Sequence, residues 1–226
     1  MTLSPRFAAV AALLLSATVA HADALVDALR AEAAKTPVVA FERTTKVEQF
    51  SGKGPGYTVR VDRFNPRSSS WTLVSMDGRA PTPDQISKHR EEVNALPVPG
   101  FHRLDEVLAG EPRRVTDAKG RQIYRWDSLK PGSFPTTGPD MSKSVAAEAF
   151  IEEIAGRPVI RELRIFAPAP FSVMTVAKVK GLSLVSQYRN GTAGPPFMFA
   201  QASETDVTAP LGLGGKRKTL ISYKPL

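Results

Sequence analysis

Cysteine is absent from all 226 residues, which removes thiol nucleophiles, disulfides and every cysteine-ligated metal from consideration. Histidine is nearly as scarce, with three in the chain. His21 lies in the N-terminal segment, which leaves His89 and His102. No second histidine stands at i+3 or i+4 from His102 to build a metal-binding face. His89 lies among Lys88, Arg90, Glu91 and Glu92, and is expected on a solvated helix surface. Serine motifs are missing too: there is no G-x-S-x-G elbow and no serine with lysine three positions on. The glycines before Lys216 fail as a phosphate loop, because Pro210 stands where the first glycine should be and Arg217 where Ser or Thr should bind magnesium. The adjacent acids Glu91/Glu92, Asp105/Glu106 and Glu152/Glu153 point to different faces of a helix or strand, so adjacency does not make a shared acid/base site. No catalytic residue, no metal site and no cofactor is therefore assigned, and the chain is read as non-enzymatic. A hydrolase working through His102 or the acidic pairs is the minor alternative.

Long apolar runs are also lacking, apart from one at the start. Arg6, the run Phe7 to Ala20, and the small residues Ala20 and Ala22 around His21 follow the order of a secretory signal, with cleavage expected after Ala22. The run is shorter than the roughly 18 to 20 apolar residues that span a bilayer, so a cleaved signal over residues 1–22 is preferred to an anchor. The absence of cysteine excludes lipoprotein acylation. A soluble, exported protein of the bacterial envelope is expected, periplasmic with an extracellular destination as the alternative. Of the 30 basic residues only Arg6 lies in that segment, and none of the 22 acidic ones, so the net charge falls from +8 to +7 on cleavage. The remaining 204 residues make one domain, 23–226, large enough to bury about 70% of its extended-chain surface without staples. Export argues against nucleic acid as the partner of this basic chain. Lys216, Arg217 and Lys218 form its one basic cluster, and are a candidate contact with an anionic membrane surface.

What is present is a succession of strand signals. Asp23 to Lys35 places Leu25, Val26, Leu29 and Ala33 at helical spacing. Strands are expected at Val38 to Phe50, Tyr57 to Phe64 and Trp71 to Met76. In the middle one Tyr57, Val59 and Val61 alternate with Thr58, Arg60 and Asp62, and the apolar set is expected to face the core. Thr82-Pro83-Asp84 opens a helix to about Ala95, and a short helix follows at His102 to Leu108. Further strands are expected at Arg113 to Asp117, Arg121 to Asp127, Val159 to Phe166, Phe171 to Lys180, Leu182 to Arg189, Phe197 to Val207 and Lys216 to Tyr223, with turns at Gly181, Asn190-Gly191 and the glycines 212 to 215. Lys143 to Ala155 prefers helix on propensity, but the tight Gly156-Arg157-Pro158 link favours a hairpin strand. The fold class that follows is mainly β (α+β): a curved antiparallel sheet or incomplete β-barrel covered by a few helices.

Aromatic residues, among them Phe41, Tyr57, Trp71, Trp126, Phe171 and Tyr223, concentrate in these strands. Most would fill an ordinary core. A curved sheet with few helices over it can still leave an apolar hollow. The order of elements over most of residues 23–226 resembles the periplasmic lipoprotein carrier superfamily of LolA and LolB type. The stretches Val61 to Pro66 and Trp71 to Thr82 also look like a class of exported bacterial proteins of similar length. The resemblance implies a half-barrel whose cavity shelters acyl chains from water, with affinity from about 0.8 kcal/mol per buried methylene and no covalent step. The chain differs from LolB-type members in having no lipidated cysteine. Candidate ligand-binding residues are Tyr57, Val59, Trp71, Leu73, Trp126 and Phe171, and the ligand is a lipid or lipoprotein. A structural or interaction module of the envelope without a ligand is the alternative. The sequence leaves the oligomeric state open.

Overall fold

The computed structural model describes residues 24–51, 54–134, 136, 138–173, 177–190, 195–209 and 214–226. The signal segment 1–22, Asp23, and the turn residues Gly191 and Gly212 lie outside the described residues. Among those described, no helix is long and apolar enough to cross a membrane.

A helix at residues 24–35 (α1) leads into β1 (Phe41–Ser51), β2 (Gly54–Asn65) and β3 (Ser70–Met76). The α2 helix (Pro83–Asn94) follows, then a 3-10 turn at Phe101–Arg103 and the short α3 (Leu104–Val107). The remaining strands are β4 (Arg113–Thr116), β5 (Gln122–Trp126), β6 (Ala146–Ile154), β7 (Arg157–Phe166), β8 (Phe171–Val173), β9 (Ala177–Arg189), β10 (Phe197–Thr208) and β11 (Gly215–Pro225). All eleven belong to one sheet in the order β3-β2-β1-β11-β10-β9-β7-β6-β5-β4, with β8 paired to β9 off this path. Every pairing is antiparallel, and the path runs from edge β3 to edge β4 without closing. The last strand pairs with the first in the middle of the sheet. Register shifts at Val61/Asp62, Phe150/Ile151, Met198/Ala200 and Asp206/Val207 mark bulges, which increase local twist and curl a sheet of this width.

Three segments cover one face. Val26, Leu29 and Ala33 of α1 are buried in the same apolar cluster as Phe101, Leu104, Tyr124, Trp126, Leu163, Ile165 and Tyr188. Arg30 ties α1 to α3, donating to the Asp105 carbonyl at 3.1 Å and its carboxylate at 3.2 Å. Thr82 caps α2 through a reciprocal pair with Gln85, which satisfies two otherwise orphaned donors.

One local expectation changes and one, made against propensity, holds. No turn interrupts the chain at Gly181, which lies inside β9. On one side β9 pairs first with β8 and then, beyond Gly181, with β7, so the glycine marks a change of partner together with a bulge against β10. Residues 146–154 form a strand despite their alanine content. Ala147 and Ala149 sit opposite Trp126 and Tyr124 on one side and Ile165 and Leu163 on the other, all buried. Small side chains there leave room for the large neighbours, and that packing outweighs helix propensity.

Candidate functional site

Strand register fixes which side chains meet on the covered face, because successive residues alternate between faces. Phe41 of β1 stands opposite Phe64 of β2 and Pro225 of β11. Two residues on, Arg43 stands between Asp62 and Tyr223; two further, Thr45 stands between Arg60 and Ile221. Phe41 and Phe64 are buried, so these polar residues share their covered face. The expected orientation of β2 is thereby reversed: Thr58, Arg60, Asp62 and Phe64 turn towards the helices, and Tyr57, Val59 and Val61 turn away. A one-residue slip in parity moves a whole set of side chains to the other face.

Asp62 is completely buried and is held from three sides. Arg43 donates to both carboxylate oxygens, at 2.8 and 2.7 Å. His89 Nε2 lies 2.9 Å from Oδ2, and Arg60 Nε approaches the same oxygen to 3.5 Å. Burial works against the Asp62 charge and is the largest single influence, but the hydrogen bonds from His89 and Arg43 and the nearby guanidinium charges together hold its carboxyl below the ordinary 3.8. His89, expected on a wet surface, is 4% exposed and with Val93 forms the buried side of α2. The Arg43 guanidinium also lies 4.1 Å from the Trp71 ring centroid, a cation–π arrangement. Tyr223 completes the cluster, and burial pushes its phenol well above its usual range.

Beside this cluster the covered face is not filled. A cavity of about 470 Å³ is lined by Arg43, Thr45, Arg60, Trp71, Glu92, Val93, Leu96, Pro97, Pro99, Gln201, Arg217, Thr219, Ile221 and Tyr223. A second space of about 190 Å³ shares Leu96, Pro97, Pro99 and Gln201 with it, and continues over Val107, Phe134, Leu163, Ile165, Leu184, Tyr188 and Met198. The two adjoin along the proline-rich segment 96–100, which bridges α2 to the 3-10 turn. One end is polar and cationic, the other apolar. The larger falls within the range of small-molecule sites, about 300 to 1,000 Å³, and the smaller extends it.

The six candidate ligand residues are dispersed. Trp71 lines the larger cavity. Leu73 is buried on the same face of β3, and Trp126 is buried beyond the apolar space, donating to the Gly110 carbonyl at 3.4 Å. Phe171 is half-buried on β8 against the core. Tyr57 is 59% exposed and shares with Val59 the opposite face. The residues missed are Arg43, Thr45, Arg60, Asp62, His89 and the 96–100 segment. Their signal was the parity of β1 and β2, once Phe41 and Phe64 are taken as facing the core.

The basic cluster is divided by the same alternation. Lys216 and Lys218 lie on the uncovered face, 4.0 Å from Asp206 and 3.2 Å from Glu204 on β10, while Arg217 turns to the cavity. His102 is half-buried at the 3-10 turn, where burial, followed by the Arg103 charge, lowers its pKa. No hydrogen bond joins its ring to a carboxylate or hydroxyl among the described residues. The paired acids diverge: Glu92 meets Arg60 at 2.8 Å, Asp105 meets Arg30, Glu106 meets Arg103, and Glu152 meets Arg161. Among the described residues no three His, Asp or Glu side chains gather as a metal site.

Compared with protein-family models, with curated proteins and with solved structures, the chain gives no match.

Proposed function

We propose that this protein is a non-enzymatic carrier or binding protein of the bacterial periplasm, exported through residues 1–22, that shelters the acyl portion of a lipid or lipoprotein between its sheet and the 96–100 segment. The observation that carries this reading is the pair of adjoining cavities on the covered face, one of them walled by Val107, Leu163, Ile165, Leu184 and Met198. An apolar tail there leaves water without a chemical step, at about 0.8 kcal/mol per methylene buried. The half-barrel order of elements supports the same reading, in the manner of LolA- and LolB-type carriers. Organic extraction of natively purified protein followed by mass spectrometry is the test. Co-purifying lipid in stoichiometric amount is the expected result. Repeated absence, together with no binding of an uncharged hydrophobic dye, would overturn the reading.

A ligand-free interaction module is favoured by a different observation. Phe50, Tyr57 and Leu220 are 49%, 59% and 57% exposed on the uncovered face of three neighbouring strands, β1, β2 and β11. Capture of one defined envelope partner, lost on Tyr57→Ser and Leu220→Ser and accompanied by no bound lipid, would support that second reading.

A further inference from the structure

The larger cavity is built for more than an acyl chain. Its wall carries three arginines, Arg43, Arg60 and Arg217, against the carboxylates of Asp62 behind it and Glu92 at its rim. Asp62 occupies Arg43 through both oxygens. Glu92, itself 61% exposed, meets Arg60. Arg217 forms no ion pair with any described residue, so the wall retains one positive charge. Two buried polar atoms in the same wall have no hydrogen-bond partner among the described residues: the Thr45 hydroxyl, and Arg60 Nε, which has only the Asp62 carboxylate at 3.5 Å. Thr45 is only 7% exposed and lies beside Arg60 in the register. Buried donors left without acceptors are costly, and both residues line a space large enough for a ligand group.

We propose that the ligand is an anionic amphiphile, its carboxylate or phosphate head received by Arg60, Thr45 and Arg217 in the larger cavity and its tail lying in the adjoining apolar space. The inference rests on the carrier reading and names its ligand class. An oxyanion would supply the acceptor that Thr45 Oγ1 lacks, give the Arg60 guanidinium a closer partner than Asp62 offers its Nε, and meet the charge that Arg217 leaves unpaired. Arg43 takes a different part: with Nε and Nη2 held by Asp62 and its guanidinium near Trp71, it braces the wall.

The test uses the intact, delipidated protein and displacement of the uncharged dye N-phenylnaphthylamine by three competitors of equal chain length: dodecanoate, dodecyl phosphate and dodecanol. The anions should compete at concentrations at least about tenfold lower than the alcohol, the scale of one hydrogen bond to a charged group. Arg217→Gln, at an exposed position, should shrink that advantage about threefold or more while leaving dodecanol unchanged, and Thr45→Val should act in the same direction. Whichever anion competes better identifies the head as carboxylate or phosphate. Equal competition by dodecanol, or an Arg217→Gln variant that weakens all three competitors alike, would overturn the anionic head and leave the carrier reading standing. Failure of the dye and of all three competitors to bind would overturn both.

Discussion

Replacing Asp62 by asparagine should remove a substantial part of this protein's stability while leaving the shape of the side chain almost unchanged. Asp62 has no exposed surface, and its partners Arg43 and His89 keep only 11% and 4% of their side-chain surface. The pair therefore behaves as a buried ion pair, for which removal of one partner costs about 3 to 5 kcal/mol because the other charge stays desolvated and unpaired. The neighbouring Arg60–Glu92 contact is different: Glu92 is 61% exposed, and such a pair contributes at most about 1 kcal/mol. For a chain of this length each kcal/mol moves the midpoint by about 2 to 4 °C, so Asp62→Asn should lower Tm by about 6 to 20 °C. In urea, with a slope of about 2.5 kcal/mol per molar, the midpoint should fall by about 1 to 2 M. Tryptophan fluorescence is a suitable readout, because Trp71 lies against the Arg43 guanidinium and reports on the cluster directly. The matching control is Arg43→Met with Asp62→Leu, which removes both charges and should recover most of the loss. A urea midpoint for Asp62→Asn within about 0.4 M of the native value, near 1 kcal/mol, would refute a desolvated cluster and imply that water reaches it.

The same carboxylate sets a pH dependence. Its pKa in the folded protein lies below the ordinary 3.8, so its contribution is intact above that value, falls as pH drops beneath it and is gone below the folded-state pKa; urea midpoints from pH 6 to pH 2.5 should decline more steeply for the native protein than for Asp62→Asn. Leu29 is fully buried where α1 meets the core, and Leu29→Ala should cost about 2 to 5 kcal/mol by the same urea assay, whereas loss of under 1 kcal/mol would mean that α1 is not anchored there. At Gly214 a Cβ would stand 2.3 Å from the Val207 carbonyl oxygen and 2.8 Å from the Ala209 nitrogen. Both are backbone atoms, so Gly214→Ala must shift the backbone at Val207 to Ala209 or at Gly214 itself and should destabilise by about 1 to 3 kcal/mol; an unchanged midpoint would show that this approach is looser than it stands.

Strand existence was legible along most of the chain because turn formers and β-branched runs are local signals. The bounds of β2, β3 and α2 lie within a few residues of those expected. Orientation was not legible for β2. The sequence Tyr57 to Phe64 offers two alternating sets, and the set richer in valine looks like the one to bury. Burial follows instead from the neighbours: Phe41 and Phe64 stack at 5.7 Å between ring centroids, and Trp71 closes on both at 5.5 and 5.2 Å. That aromatic nucleus is assembled from three strands and draws Asp62 and Arg60 inward with Phe64. No window within β2 contains this information. His89 was misplaced for a related reason. Its sequence neighbours are charged, but His89 and Val93 lie at i and i+4 on the buried side of α2, where the polar ring is carried inward and meets a carboxylate 27 residues away. The strand at 146–154 became legible only through its hairpin link, since its alanines are chosen by the bulk of Trp126 and Tyr124 opposite them.

The buried charges bear on what the interior is for. Exchanging a buried ion pair for apolar side chains of similar volume is often neutral or stabilising, so stability alone does not account for Arg43, Asp62, His89 and Arg60 at the centre of a hydrophobic sheet. Their position narrows the explanation. They stand where the aromatic nucleus ends and the open space begins, on the strands that carry both. Leucine or methionine there could fold into the adjoining volume and close it, since apolar side chains gain contacts by collapsing onto one another. An arginine held at two of its nitrogens by a fixed carboxylate cannot do so. The cluster therefore acts as a rigid post beside the cavity, its desolvation balanced by Asp62. Filled space and supported space differ in this respect, and a wall kept apart by an anchored ion pair is the arrangement that the proposed carrier would need.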